Sequence, residues 1–428
     1  MGFVGRSRGQ QQRQSAGTYA SLCFISMVLA FTAQTAHAQT YTVIHNFSGG
    51  GDGATPLAGL TIDQAGNLYG TANYGGNFGD NCGAQGCGVV YRLANRSSGW
   101  ILTPLYSFQG GNDGMNPQIA NVVIGADSNL YSTTYYGGGS CTGSNKGCGT
   151  VFKLQPPANA CPRVSCPWTE TILHTFNGDD GLGPVGALVF DQQGNIDGVT
   201  NTGSLRNGGT VYQLNGSGDN MLEILFHPYG YPGSSVTMDH AGNLYGSTFI
   251  GMQSPGTVYE LMQSGSNWIG TDIYDFTGGS DGGHPRAGVI LDSAGNLYGA
   301  TAAGGSGQGG TAFELSPANG GWSFSLLYSF VGTGTGAILG GPVGNLVMDA
   351  AGNLYGTTLV DGANGYGAVF KLTHSETGWS YTSLHDFTNG SDGSYPYSNL
   401  VFDSDGNIYG TASSGGSFGN GVVFQITP

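Results

Sequence analysis

Apolar residues in this chain come in short runs cut off by glycine, asparagine or aspartate, and the runs repeat in a fixed order. A run such as "LVF" or "LVM" leads into Asp-x-x-Gly-Asn and then into "LYGT" or a variant. A glycine-rich loop follows, then a run like "GTVFKL", and last a run like "LLYSF". Runs this short, rich in Val, Tyr, Phe and Thr and bounded by turn residues, predict β-strands. Each unit therefore offers four strands, and none offers a helix.

The unit occurs seven times. Asn67, Asn129, Asn195, Asn243, Asn296, Asn353 and Asn407 hold the same place in it, 48 to 66 residues apart. A proline precedes each: Pro56, Pro117, Pro184, Pro232, Pro285, Pro342 and Pro396. In six units an Asp follows the proline by seven positions; the second unit carries one extra residue and Gly125 there. Four strands at this period predict propeller blades, whereas solenoid coils are shorter and more even. The ends favour a ring. Residues 41–47, "YTVIHNF", match the last strand of a unit, and the chain closes on "GVVFQI", a third strand. The first run completes the blade that the last one leaves open, which removes both exposed sheet edges. The predicted fold is an all-β, seven-bladed β-propeller of four antiparallel strands per blade, with the N-terminal strand completing the last blade.

The repeated residues have physical tasks in that fold. Asp-x-x-Gly-Asn makes the tight turn between first and second strands, with Gly where the backbone dihedrals are unusual. Tyr on the second strand and Tyr or Phe on the third supply rings to pack blade on blade. The Gly after the second-strand Tyr suits a close approach. Blade 3 departs with Asp197 in the Tyr position, and blade 4 is expected to carry Pro228 in place of the Phe that ends a fourth strand.

The combination D-x-x-G-N-L-Y-G-T-T, G-G and G-x-V-F-K-L resembles the Gloeobacter–Verrucomicrobium tandem repeat (GloVer) of exported bacterial proteins, over nearly all of residues 41–428. A looser similarity runs to regulator-type and streptogramin-lyase-type propellers. The resemblance implies export and a propeller. It brings no catalytic residues to carry over.

Composition changes the picture at the ends. Residues 1–38 read as a signal peptide: Arg6, Arg8 and Arg13, an apolar run over 20–33, then Ala36-His37-Ala38 as a cleavage site. That leaves 39–428 as one propeller domain, secreted or periplasmic, with no C-terminal anchor expected. The leader holds three of the eleven Lys and Arg and no Asp or Glu, so 8 basic face 26 acidic residues, a net charge of −18. That excludes nucleic acid and anionic membrane surfaces as expected partners. Six cysteines remain in three close pairs: Cys82 with Cys87, Cys141 with Cys148, and Cys161 with Cys166. Local disulfides are expected in an exported chain, since no Cys-x-x-Cys or adjacent histidine suggests a metal site.

The chemistry is sparser. In a propeller the fourth-to-first and second-to-third strand loops share one face. Five of the former carry Asp-Gly, at Asp52, Asp113, Asp180, Asp281 and Asp392. Five carboxylates around one mouth suit a hard cation such as calcium. Asp-Gly is also a favoured turn that needs no ligand, so no cofactor is expected. His45, His174 and His385 stand where other blades have Tyr, which reads as outer-strand surface. His284 and Arg286 lie in the mouth-facing segment, where Arg286 faces either an anionic ligand group or a neighbouring Asp. Tyr74, Phe78, Tyr135 and Tyr136 put aromatic rings on the same face. Gly-x-Ser-x-Gly around Ser280 and Ser417 lacks the strand-to-helix turn of a nucleophile elbow. The reading is a monomeric, non-catalytic scaffold that binds a glycan or protein partner, neutral or cationic, at one face. The alternative is a hydrolase or lyase with its site at the mouth, near Arg286 and His284.

Overall fold

The Asp of each Asp-x-x-Gly-Asn turn holds the inner hairpin of a blade. In blade 1, Asp63 Oδ1 accepts the N–H groups of Ala65 (2.9 Å) and Asn67 (2.8 Å), and Oδ2 accepts Asn67 Nδ2 at 2.8 Å and the Tyr69 hydroxyl at 3.1 Å. One carboxylate thus fixes the turn and the first ring of the next strand. The same bonds recur around Asp292, Asp349 and Asp403. In blade 2 the carboxylate has moved. Asp127 binds Asn129 and the Tyr131 hydroxyl (2.8 Å), while Gly125 leaves no room for a side chain, since a methyl there would lie 2.6 Å from the Tyr131 ring.

A computed structural model describes residues 39–428 except 143, 158–167, 204–207, 217–220, 252–253 and 333–339. The predicted signal peptide lies outside the described residues. So do Cys161 and Cys166, and the disulfide expected between Cys161 and Cys166 is therefore not among those the structure describes. The strands form seven antiparallel four-stranded blades, with a short extra strand, Gly230–Pro232, added to the fourth. Blade 1 illustrates the order: Thr61–Ile62, Leu68–Ala72, Val89–Arg96 and Gly99–Ser107. Blade 7 takes Val401–Phe402, Ile408–Ala412 and Val422–Thr427 from the end of the chain and Thr40–Asn46 from its beginning. Tyr41 pairs with Ile426 and Asn46 with Val422. The ring closes as the orphan strands predict.

Hydrophobic cores lie between blades, because each sheet has two apolar faces and only its neighbours can cover them. At the closing seam, Tyr409 and Val423 of blade 7 pack with Leu60, Leu68 and Tyr91 of blade 1. The Phe that ends each fourth strand sets its ring against the third-strand ring of the following blade: Phe47–Tyr91, Phe108–Phe152, Phe176–Tyr212, Phe276–Phe313, Phe330–Phe370 and Phe387–Phe424, with centroids 4.8 to 5.6 Å apart. Gly70 lies directly opposite Tyr91 in register, and a methyl on it would sit 2.6 Å from the Tyr91 hydroxyl, so the glycine makes room for the ring. Pro228 requires a correction. It follows the fourth strand of blade 3, Leu222–Phe226, so both departures from the repeat fall in blade 3. Phe226 takes over the seam contact with Tyr259 at 5.9 Å.

Second-strand hydroxyls stitch blades at their inner ends. Thr71 Oγ1 donates to Ala120 O, Ser247 Oγ to Ala287 O, Thr357 Oγ1 to Ser398 O and Thr411 Oγ1 to Ala58 O, the last across the closing seam. Disulfides Cys82–Cys87 and Cys141–Cys148 close the second-to-third-strand loops of blades 1 and 2. No helix among the described residues is long and apolar enough to cross a membrane.

Candidate functional site

The two loop classes do share a face. Ala54 bridges Tyr74, Gly283 bridges Ala303, Ser394 bridges Ser414, and Gly114–Met115 pairs with Tyr136–Gly137. Between these bridges and the channel sits the residue before each repeat proline. Thr55, Asn116, His284 and Tyr395 occupy it with φ of +53°, +53°, +58° and +54°, and Gly183 with +63°. Backbone bonds on both sides hold this conformation. Thr55 N–H reaches Asn420 O of blade 7 at 2.8 Å, and Thr55 O accepts Asn73 N–H at 3.2 Å. Asn116 and Tyr395 are held in the same way.

The residue after each proline then lines an axial cavity of about 650 Å³. Leu57, Gln118, Val185, Gly233, Arg286, Val343 and Tyr397 contribute one position from every blade. Tyr135, Asn201 and Phe249 add the ends of second strands from blades 2, 3 and 4, and Tyr231 stands at the rim, 37% exposed. The Tyr135 hydroxyl lies 3.5 Å from Asn201 Oδ1, and Asn201 Nδ2 donates to Pro232 O at 2.9 Å. Burial raises the Tyr135 phenol above its ordinary value, with a smaller push from Tyr136. Around the axis, asparagine amides join the blades: Asn121 Oδ1 accepts Gly59 N–H at 2.9 Å, Asn345 Oδ1 accepts Gly288 N–H at 2.7 Å, and Asn399 Oδ1 accepts Asn345 N–H at 2.7 Å.

Arg286 is the one cation in this lining among the described residues. Its guanidinium carbon lies 4.6 Å from the centre of the Phe249 ring, and its Nε is buried without a hydrogen-bond acceptor. No ion pair to Arg286 occurs among the described residues, so the neighbouring-Asp alternative is not what the fold builds. His284 supports Phe249 from behind. Its Nδ1 is 3.1 Å from Phe249 O, and the two rings are 4.9 Å apart.

The five Asp-Gly carboxylates are turned elsewhere, and none lines the cavity. Asp52 binds His45 Nε2 (3.2 Å), Asp180 binds His174 Nε2 (2.9 Å) and Asp392 binds His385 Nε2 (3.1 Å). Asp113 and Asp281 take the hydroxyls of Tyr106 and Tyr274, each at 3.1 Å. Each also caps a loop N–H, that of Ser48, Gln109, Asn177, Thr277 or Thr388. His and Tyr interchange on the fourth strand because both reach the same carboxylate. Burial lowers the His45 and His385 pKa from 6.5, against the opposing pull of their Asp partners.

Blade 2 adds a carboxyl pair at the perimeter. The Tyr106 hydroxyl lies 3.1 Å from both Asp113 Oδ2 and Glu170 Oε2. Burial, then the Asp113 carboxylate, raise the Glu170 carboxyl to about 8. A cavity of about 610 Å³ adjoins them, lined also by Asp80, Asn81 and Asn112.

Of the residues singled out in the sequence, the cavity gathers Arg286 and Tyr135, with His284 directly behind. Tyr74 lies in the rim bridge to Ala54, and Phe78 is 49% exposed. Asn201, Phe249 and Tyr397 were missed. Their signal was available: the position after the repeat proline and the one ending the second strand vary from unit to unit, while their neighbours repeat.

The model of the Gloeobacter/Verrucomicrobia repeat matches the chain four times, over residues 27–227, 81–278, 140–340 and 231–428. No curated protein matches it in sequence. Among solved structures, a candidate oxidoreductase (glucose dehydrogenase) from Thermus thermophilus is 13% identical, with a TM-score of 0.41 over 91% of this chain and 100% of that one. A candidate gluconolactonase is 8% identical, with a TM-score of 0.43 over 91% and 92% of the two chains. A protein of unknown function from Dyadobacter fermentans is 10% identical, with a TM-score of 0.43 over 90% and 96%.

Proposed function

The chain belongs to the Gloeobacter/Verrucomicrobia repeat family, and on that footing we propose that it is an exported, monomeric binding propeller that holds a glycan in its axial cavity without turning it over. One observation carries this reading. Every blade contributes to a single cavity of about 650 Å³, whose lining combines Tyr135, Tyr231, Phe249 and Tyr397 with the Asn201 amide. Aromatic faces give area against sugar rings, and an amide fixes orientation through hydrogen bonds. Among the described lining residues there is no carboxylate, histidine or cysteine to act as acid, base or nucleophile. The leader expected at residues 1–38 and the two loop disulfides support an oxidising compartment, secreted or periplasmic.

The test is a binding screen of neutral and acidic oligosaccharides against residues 39–428, followed by Tyr135→Ala and Tyr397→Ala. Each change is expected to weaken the best ligand about tenfold or more, the scale of one lost stacking anchor. Unchanged affinity in both variants refutes the cavity as the site.

A hydrolase reading has one observation of its own, the Asp113 and Glu170 carboxyls that meet on the Tyr106 hydroxyl. The Tyr106 hydroxyl, 3.1 Å from each, takes the place between the two carboxyls that glycoside hydrolysis, with carboxyls roughly 5 Å or more apart, keeps for the scissile bond or a water. Product release from any of the screened saccharides, lost in Glu170→Gln, would establish that reading instead.

A further inference from the structure

We infer that the ligand of the axial cavity carries a carboxylate, received by Arg286, and that the saccharide class is therefore uronic. The inference rests on the cavity being the binding site.

The mature chain has 26 acidic residues against 8 basic ones, so an arginine has ample opportunity to find a carboxylate. Arg286 has none among the described residues. The fold has put it where the lining is otherwise uncharged. Phe249 covers one side of the guanidinium at 4.6 Å, which leaves the N–H edge for a partner. The Nε atom is buried and lacks an acceptor. The terminal N–H groups make no bond within the described protein, and a guanidinium is shaped to take a carboxylate through two parallel bonds. The described lining carries no other charge to compensate the guanidinium, so a ligand carboxylate is its matching partner there.

The support behind Arg286 has the character of a built site. His284 anchors the Phe249 carbonyl at 3.1 Å, and it does so from a left-handed backbone conformation, φ +58°, one residue before the proline. The same backbone recurs at Thr55, Asn116 and Tyr395, so what is particular to this blade is the imidazole on the Phe249 carbonyl and ring. The aromatic rings and the single cation together select a ring-bearing acid. A free inorganic anion would use Arg286 alone and leave the rings bare.

Calorimetric titration of the mature protein with trigalacturonate, its methyl ester and a sulfated trisaccharide tests this. Wild type is expected to bind the acid at least tenfold more tightly than the ester. Arg286→Gln should bring that ratio to about one by weakening the acid alone, and Arg286→Lys should keep part of it. Equal binding of acid and ester by wild type overturns the carboxylate assignment while leaving the cavity as a glycan site. So does tighter binding of the sulfated sugar. An Arg286→Gln variant that weakens acid and ester alike shows a structural role and also overturns it. If no saccharide binds, neutral or acidic, the binding reading falls and takes this inference with it.

Discussion

Tyr91, Tyr212 and Tyr259 fill the third-strand position that Phe152, Phe313, Phe370 and Phe424 fill in the other blades, and their hydroxyls are buried without a partner. An unsatisfied buried hydroxyl costs about 1–3 kcal/mol, so removing it without changing the ring should help. Tyr91→Phe and Tyr259→Phe are each expected to raise stability by about 1 kcal/mol in urea unfolding; a loss would mean that the hydroxyl has a partner such as buried water. Asp197 is the second exception at this scale. It is 0% exposed, its Oδ1 accepts Gln213 Nε2 at 2.9 Å, its Oδ2 receives no hydrogen bond, and burial lifts its carboxyl to about 7. A folded-state value above the unfolded 3.8 means that the folded protein binds the proton more tightly. Its penalty therefore grows as pH rises from about 4 to 7 and is constant above. Asp197→Asn should gain on wild type over that window, by a few kcal/mol at about pH 8 relative to about pH 4. A difference independent of pH would refute the assignment.

The inner hairpins behave oppositely. For Asp63, Asp127, Asp292, Asp349 and Asp403, burial alone would raise the carboxyl, but the turn's own hydrogen bonds outweigh it and hold each below 3.8. A lowered folded-state value gives stability that is present above the unfolded value and lost as pH falls through the folded one. Asp403→Ala is therefore expected to cost about 1–2 kcal/mol at pH 7, and the deficit should shrink below about pH 4. A deficit that persists at about pH 3 would mean that the side chain acts by packing. Loops follow a different rule. Each described disulfide closes a short segment, 5 or 7 residues apart in sequence, so replacing Cys82 and Cys87 by Ser should cost about 2 kcal/mol or less. The signature to seek is faster proteolysis of that loop with the ring intact.

Closure makes the whole molecule depend on one seam. The strand Thr40–Asn46 completes blade 7, Thr411 reaches Ala58 O at 3.0 Å, and Gly421 packs under Pro56. A methyl on Gly421 would meet Pro56 Cδ and Ala412 O, each at 2.6 Å, and Gly421 has φ +96°. Gly421→Ala is expected to destabilise the ring by at least about 2 kcal/mol, and removing residues 39–47 should expose the edge of Val422–Thr427 and cause aggregation. A monomeric, equally stable truncation would show that the ring does not need its closing strand.

Sequence alone determined the blade count, the strand order and the closing seam, because each depends on local turn chemistry and on a period of two or of a whole repeat. Asp63, Gly66 and Asn67 are neighbours in the chain, so their turn is written there. It also marked Arg286, a rare cation in a mouth-facing segment, and Tyr135, an aromatic in a loop on that face. Only the tertiary structure decided that these two share a cavity with Phe249 and Tyr397, from blades 4 and 7. It decided too that Asp52 and Asp392 face outward to His45 and His385. Which side chain meets which across a ring depends on how neighbouring blades pack, and that packing is set by contacts between residues 40 to 66 positions apart, and 353 apart at the closing seam.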